Sequence, residues 1–313
     1  MSKLKNFSAT LGTYLVFSMF MTNVHGFDGP THKYVTETSL SILHKLGKIQ
    51  KDGKTNEFEE TVVAEEISKT ENTDEIQEND VVEEPDKAEE DGKVKEKIVS
   101  KYSDFYTDKI TDIILEYCEK PDTDEIDGGF KWHFYNPATE LNFMGERESA
   151  LTRFINHYNA AIINYNTGHT TEAFQEFGRS LHFVEDLSTP VHTNYESLVD
   201  AGIKLSMHVE FEKRCIAVQD TCVAAVKQEN LKYYLDNTKK IIGKTCAYLS
   251  ADLFYSLEHE LLPQDTIAEY AVLNAQKVVV GLLNRFYSEV APSSNSRSSI
   301  KADEKPLGEV VAV

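Results

Sequence analysis

Two pairs of metal-competent side chains at helical spacing are the most constraining feature of this 313-residue chain. His182 and Asp186 are four residues apart, as are His208 and Glu212, so each pair would share one face of a helix. His192 follows a proline, which removes a helical hydrogen-bond donor and lets the chain turn back toward the same space. Imidazole and carboxylate ligands together suit zinc. The spacing therefore predicts helices that bring a metal site together.

The hydrophobic pattern is helical along most of the chain. Apolar residues recur at helical spacing in 32–46, 97–118, 145–166, 170–187, 205–228, 230–262 and 267–286. No segment alternates as a strand would. More than 200 residues remain outside the terminal and acidic segments, which is enough for one domain. We expect an all-α fold, a single multi-helix bundle with a buried multi-metal site in a cleft between facing helices.

The net charge of −20 is unevenly distributed. Residues 48–98 contain 18 acidic and 8 basic residues, a net charge of −10, and a single aromatic residue. Such a segment buries too little apolar surface to offset its ordering entropy, so we expect a disordered acidic insertion that acts as a solvated spacer. The tail, 292–313, is also expected to be disordered. The acidic balance argues against stable nucleic-acid binding.

The residues from His182 onward carry a family resemblance. They read His-Phe-x-x-Asp-x-x-x-Pro-x-His-x-Asn, which resembles the signature of the zinc-dependent bacterial phospholipases C. Single-strand-specific nucleases of fungi and plants share that fold. The resemblance implies that His182 and Asp186 bind paired zinc ions and that His192, His208 and Glu212 hold a third. The nucleases usually end the last pair in Asp, so Glu212 favours the phospholipase branch.

A second stretch resembles the family's Pro-Asp and His-Phe segments. By this resemblance Asp122 and His133 would be ligands at the paired site, and Asp122 would also orient the attacking water as a base. Acidic residues at 124, 125 and 127 leave the alignment of Asp122 open. Phe130, three residues before His133, stands where the family has an aromatic that contacts the lipid headgroup.

The amino-terminal region predicts export. Residues 1–26 combine early lysines, an apolar stretch at 11–21 and small residues before Phe27, which is typical of a secretory signal, and the apolar stretch is shorter than the roughly 20 residues a membrane-spanning helix needs. Residues 27–32 resemble the mature amino terminus of the family, with Phe27 where the family usually has Trp. The resemblance implies that the α-amino group and carbonyl of Phe27 bind zinc together with His32.

Four cysteines leave two interpretations open. In an exported chain they could form two disulfides, with three possible pairings, or remain buried free thiols. None has a Cys-x-x-Cys zinc spacing.

The resemblance implies a catalytic domain over 27–291 that is secreted, extracellular or periplasmic. It would act as a monomer without a transmembrane anchor. With three zinc ions, it would hydrolyse the glycerol–phosphate bond of phospholipids through a metal-activated hydroxide. The alternatives are a single-strand nuclease or nucleotidase on the same scaffold and a zinc-binding module without activity.

Overall fold

The computed structural model describes residues 29–49, 101–125 and 130–291. Several sequence predictions lie outside these ranges: the secretory signal at 1–26, Phe27, the tail at 292–313 and nearly all of the acidic insertion predicted at 48–98. Its first two residues belong to a helix that ends at Ile49.

The described residues are organised as α-helices joined by turns, which confirms the all-α prediction. The helices are α1 (Gly29–Ile49), α2 (Lys101–Phe105), α3 (Asp108–Tyr117), α4 (Pro121–Asp124), α5 (Ala150–Asn166), α6 (Thr170–Leu187), α7 (Leu198–Ile203), α8 (Leu205–Gln219), α9 (Gln228–Asp236), α10 (Lys239–Glu258) and α11 (Gln264–Val290). Two short 3₁₀ turns span Lys131–His133 and Pro190–His192.

Some predicted boundaries were wrong because helix breaks depend on local capping. The helix predicted at 97–118 is two helices, since Thr107 is extended (φ −65°, ψ 163°) and begins α3. The helix predicted at 230–262 breaks before α10, where Thr238 accepts a hydrogen bond from the Ile241 N–H. The helix predicted at 205–228 ends at Gln219, and the one predicted at 145–166 begins only at Ala150.

Helix α6 lies at the centre of the bundle, and its last two turns bury polar and ionisable side chains. It packs against α5 on one side and α3 on another. Every residue from Ser180 to Leu187 is buried, including the polar His182, Glu185 and Asp186. Burial of ionisable groups is costly unless they are paired or bind a metal. The buried ionisable side chains at this end of α6 are therefore candidates for a functional site.

Helix α11 is the second central element. It packs against α1, α8 and α9, and most of its length is buried. The Phe286 ring on α11 stacks on the Phe177 ring of α6, with centroids 4.3 Å apart. This aromatic contact joins the two central helices at the end of α6 away from the buried carboxylates. Within the described ranges, no helix combines the length and apolar character that membrane crossing requires.

Candidate metal centre

The end of α6 and the turn after it deliver three predicted ligands. His182 and Asp186 lie one helical turn apart, and both side chains are fully buried. A proline opens the following 3₁₀ turn, which ends at His192. The Tyr135 N–H donates to the His192 carbonyl oxygen at 3.0 Å, so this turn is tied to the segment that carries His133.

The first cluster joins α1 to α6. The rings of His32 and His182 stack with centroids 3.9 Å apart. Asp186 lies beside both, with its Oδ1 3.8 Å from His32 Nε2 and its Oδ2 3.4 Å from His182 Nε2. One ligand atom from each residue lies within 4.8 Å of the others, as a single bound metal ion would require.

The second cluster consists of Asp122, His133 and His182. Asp122 Oδ1 is 3.7 Å from His133 Nδ1 and 3.5 Å from His182 Nε2. The two imidazoles approach to 3.0 Å between His133 Nδ1 and His182 Nε2. Because this cluster shares His182 with the first, the two form adjoining halves of one centre.

The ambiguity around Asp122 has a geometric answer. Asp122 is buried in the cluster, whereas Asp124 and Glu125 pair with the guanidinium of Arg179 away from it. Asp127 lies outside the described residues. Of the acidic side chains described in this stretch, Asp122 is the one beside the imidazoles of His133 and His182.

The third cluster consists of His192, His208 and Glu212. Glu212 Oε1 lies 2.6 Å from His208 Nε2 and 3.6 Å from His192 Nε2. All three side chains are buried, and the two imidazole centroids are 4.9 Å apart. Helix α8 thus brings its i,i+4 pair to the 3₁₀ turn after α6.

Asp186 stands between the clusters. Its Oδ2 is 3.0 Å from His133 Nδ1, and its Oδ1 is 3.1 Å from His192 Nδ1. Each oxygen thus faces a different set of imidazoles. A carboxylate in this position has the geometry to bridge two metal ions.

Sequence reasoning missed Glu185, the outer partner of His32. Its Oε2 lies 2.5 Å from His32 Nδ1, and its Oε1 accepts the Thr36 hydroxyl at 2.8 Å. The bond occupies Nδ1 and directs His32 Nε2 into the first cluster, the arrangement by which carboxylates orient metal-binding imidazoles. The only sequence signal was an acidic residue on α6 three positions after His182.

Two further rings, His182 and His192, are oriented by main-chain carbonyl oxygens. His182 Nδ1 donates to the Cys118 carbonyl at 2.8 Å, and His192 Nδ1 donates to the His133 carbonyl at 3.0 Å. In both rings Nε2 is left to face a cluster.

The four cysteines, Cys118 included, are buried free thiols, as the second of the two sequence interpretations expected.

The donor atoms suit zinc in type and in charge. Burial lowers the pKa of His32 to about 3 and that of His182 well below its usual value, so both rings are neutral. Burial raises the pKa of Asp186, but its interactions with the surrounding imidazoles, His182, His192 and the hydrogen-bonded His133, outweigh this effect and hold it well below its usual value. Neutral imidazole and ionised carboxylate are the forms that bind metal.

The third cluster differs in protonation. Burial lowers the pKa of His192, but Asp186 and Glu212 raise it to about 10. The His192 ring therefore carries a proton that a metal would displace. The Nε2 atom of His192 is buried and has no hydrogen-bond partner in the described part of the chain, and it lies 3.6 Å from Glu212 Oε1. Buried polar atoms normally have partners, so this nitrogen fits a role as a ligand.

Phe130 lies at the edge of this centre. Its ring is 6.0 Å from the His133 ring, and its backbone adopts the left-handed region, with φ 59°. A bulky residue rarely adopts this conformation, and such strain concentrates at functional sites.

Sequence comparison finds phospholipases C among the proteins that this chain resembles. No family model matches the chain. The chain is 27% identical over 179 residues to a phospholipase C of Paraclostridium bifermentans, covering 51% of this chain and 44% of the relative. It is 25% identical over 184 residues to a phospholipase C of Clostridium novyi, covering 52% and 45%. The chain therefore spans less than half the length of these relatives.

A solved structure has the same fold. The alpha-toxin of Clostridium perfringens, from an avian strain, superimposes with a TM-score of 0.55 at 18% identity, covering 88% of this chain and 66% of the toxin. The chain is thus similar in sequence to these phospholipases C and shares its fold with the alpha-toxin.

Proposed function

We propose that this protein is a secreted zinc-dependent phospholipase C that cuts phospholipids between glycerol and phosphate. The observation that carries the proposal is the set of three buried His and carboxylate clusters, each with its ligand atoms within 4.8 Å. Two clusters adjoin through a shared imidazole, and the third lies against them. This density of buried ligands is what phosphodiester hydrolysis by several metal ions requires.

The residues have distinct roles in this proposal. His32, His182, His133 and Asp186 hold two ions, with Asp186 between them. Asp122 binds at the same pair and accepts the proton of the attacking water. Zinc in such a centre supplies a Lewis acid that polarises a phosphoryl oxygen and acidifies water at neutral pH.

The third cluster and the aromatic edge complete the site. His192, His208 and Glu212 would hold a third ion, which would supply a further Lewis acid to the phosphodiester. Phe130, beside His133, contacts the lipid headgroup. Phe27, which lies outside the described residues, completes the site of His32 with its α-amino group once the signal at 1–26 is removed.

Two carboxylates on α8 give a matched test. Glu212 lies buried in the third cluster, whereas Glu210, two residues away on the same helix, is exposed and pairs with Arg214. Both are changed to Gln. Glu212→Gln should lower zinc content by about one ion per chain and turnover by at least tenfold, since it removes a charged ligand. Glu210→Gln should leave both unchanged.

The assay decides between the function classes. The full chain is expressed for export, its first residue is read by mass spectrometry, and hydrolysis of phosphatidylcholine, phosphatidylethanolamine and single-stranded DNA is followed with and without chelator. Release of phosphorylated headgroup that stops with chelator supports the proposal. Nucleotide release instead would assign the nuclease function. Bound zinc without turnover on any of these would indicate a zinc-binding module.

A further inference from the structure

Asp122 stands on a short element that is not stable by itself. Helix α4 is a single turn of four residues. One turn gains too few internal hydrogen bonds to be stable alone, so its position depends on contacts with the rest of the fold. The carboxylate of Asp122 must nevertheless stay within 4 Å of both His133 and His182.

A salt-bridge network around Arg179 supplies those contacts. Arg179 lies on α6, three residues before His182, and binds Asp124 in a two-pronged pair, with Nη1–Oδ1 at 2.7 Å and Nη2–Oδ2 at 2.5 Å. Its Nη1 also donates to Glu125 Oε1 at 2.7 Å. The guanidinium therefore connects the end of α4 to the helix that carries the shared imidazole.

Glu125 extends the network to α5 and the 3₁₀ turn. His157 Nε2 lies 3.1 Å from Glu125 Oε1, and Arg153 Nη1 lies 3.5 Å from Oε2. The Arg153 guanidinium also covers the Trp132 ring at 3.8 Å, and Trp132 directly precedes His133. Each element that supplies a ligand to the second cluster is thus attached to this one set of charges.

The environment makes the pair between Arg179 and Glu125 stronger than a surface ion pair, whereas the Asp124 side chain is 46% exposed and its pair is more screened. The Glu125 side chain is 11% exposed and that of Arg179 15%, whereas Arg214 in its exposed pair is 42% exposed. Burial raises the pKa of Glu125, but the hydrogen bond from His157 and the nearby cations lower it to about 2. Partly buried charges of this kind are less screened than exposed ones.

We infer that Arg179 and Glu125 are positioning residues that hold Asp122 against His133 and His182 for metal binding. The inference rests on the proposed zinc chemistry of the site. Neither residue contacts the clusters directly, so both act through the placement of α4. Their loss should weaken zinc binding more than it weakens the fold.

The test measures zinc binding and thermal stability in the purified full chain and in three variants. Arg179→Met removes the charge and keeps the aliphatic bulk, Arg179→Lys keeps the charge without the two-pronged pair, and Glu125→Gln keeps the shape without the charge. Arg214→Met is the matched control, because Arg214 also joins a ligand-bearing helix to a distant carboxylate, Asp265. Melting is recorded with and without excess zinc, since a ligand that binds the folded state stabilises it more the tighter it binds, with a logarithmic dependence on affinity.

We expect Arg179→Met and Glu125→Gln to bind their weakest zinc about 10- to 100-fold less tightly. The zinc-dependent rise in melting temperature should shrink in both, Arg179→Lys should be intermediate, and Arg214→Met should match wild type. Wild-type zinc affinity in Arg179→Met and Glu125→Gln, or equal losses of melting temperature with and without zinc, would overturn the inference alone. A wild-type chain that holds no zinc would overturn the proposed function and the inference with it.

Discussion

Replacement of Glu185 by Gln should separate metal affinity from fold stability. Glu185 is fully buried, accepts the Thr36 hydroxyl at 2.8 Å and lies 2.5 Å from His32 Nδ1. The Gln amide oxygen can still accept from His32, and its NH₂ can donate to Thr36, because a hydroxyl also accepts. The hydrogen-bond count is preserved, and only the acidic group is lost, whose pKa burial raises well above its usual value in the zinc-free chain.

The magnitude follows from this geometry. Because no buried group loses its partner, the free energy of unfolding of the zinc-free chain should change by less than about 1 kcal/mol. Zinc affinity should fall about 10- to 100-fold, since His32 loses the carboxylate that raises its basicity. That loss corresponds to about 1.4–2.8 kcal/mol.

Two titrations measure the two quantities. Zinc affinity is determined by competition with a chromogenic chelator, and stability by urea unfolding of the zinc-free chain. Thr36→Val is the control, because it removes one hydrogen bond to the buried carboxylate and leaves the bond to His32. It should cost about 1–3 kcal/mol of stability with a smaller change in zinc affinity. Unchanged zinc affinity in Glu185→Gln would refute the orienting role.

Three further predictions concern packing, pH and thiols. A Cβ on Gly178 would meet the α3 backbone at 2.8 Å, whereas a Cβ on Gly243 would meet the ends of side chains, which can move. In urea unfolding, Gly178→Ala should therefore lower the free energy of unfolding by about 1–3 kcal/mol more than Gly243→Ala does. Burial lowers the pKa of His157, but Glu125 and Glu176 raise it above 6.5. The stability that the protonated His157 ring contributes is complete below pH 6.5 and is lost as pH rises through the raised pKa. In the zinc-free chain, His157→Gln should therefore reduce the loss of stability between pH 6.5 and alkaline pH. The four buried thiols should resist iodoacetamide until the chain unfolds, and rapid native labelling would contradict their burial.

Part of the candidate ligand set was predicted from local spacing, which a sequence displays directly, whereas Asp122, His133 and His32 were predicted from the family resemblance. His182 with Asp186, and His208 with Glu212, are one-turn pairs, and their helices exist where the periodicity predicted them. The structure adds the distances that bring these pairs together with His32. Their role as zinc ligands stays a prediction that metal analysis can test.

The supporting residues could not be predicted in the same way. Glu185 matters because α1 places His32 beside it, and Glu125 matters because two arginines and an imidazole from other helices surround it. These are tertiary contacts, and neither spacing nor composition encodes them. The helix breaks at Thr107 and Thr238 were missed for a smaller reason: each threonine stands at the N-cap position of the next helix, and Thr238 also caps that helix with its side chain.

The contact between His32 and Glu185 joins residues 153 positions apart in the chain. Contacts of such long sequence separation close large loops and tend to form slowly. In refolding experiments, helix formation along α5 and α6 should therefore precede the docking of α1. Tight zinc binding at the first cluster would then appear only after α1 has docked. Zinc would therefore stabilise fully folded chains over partly folded ones.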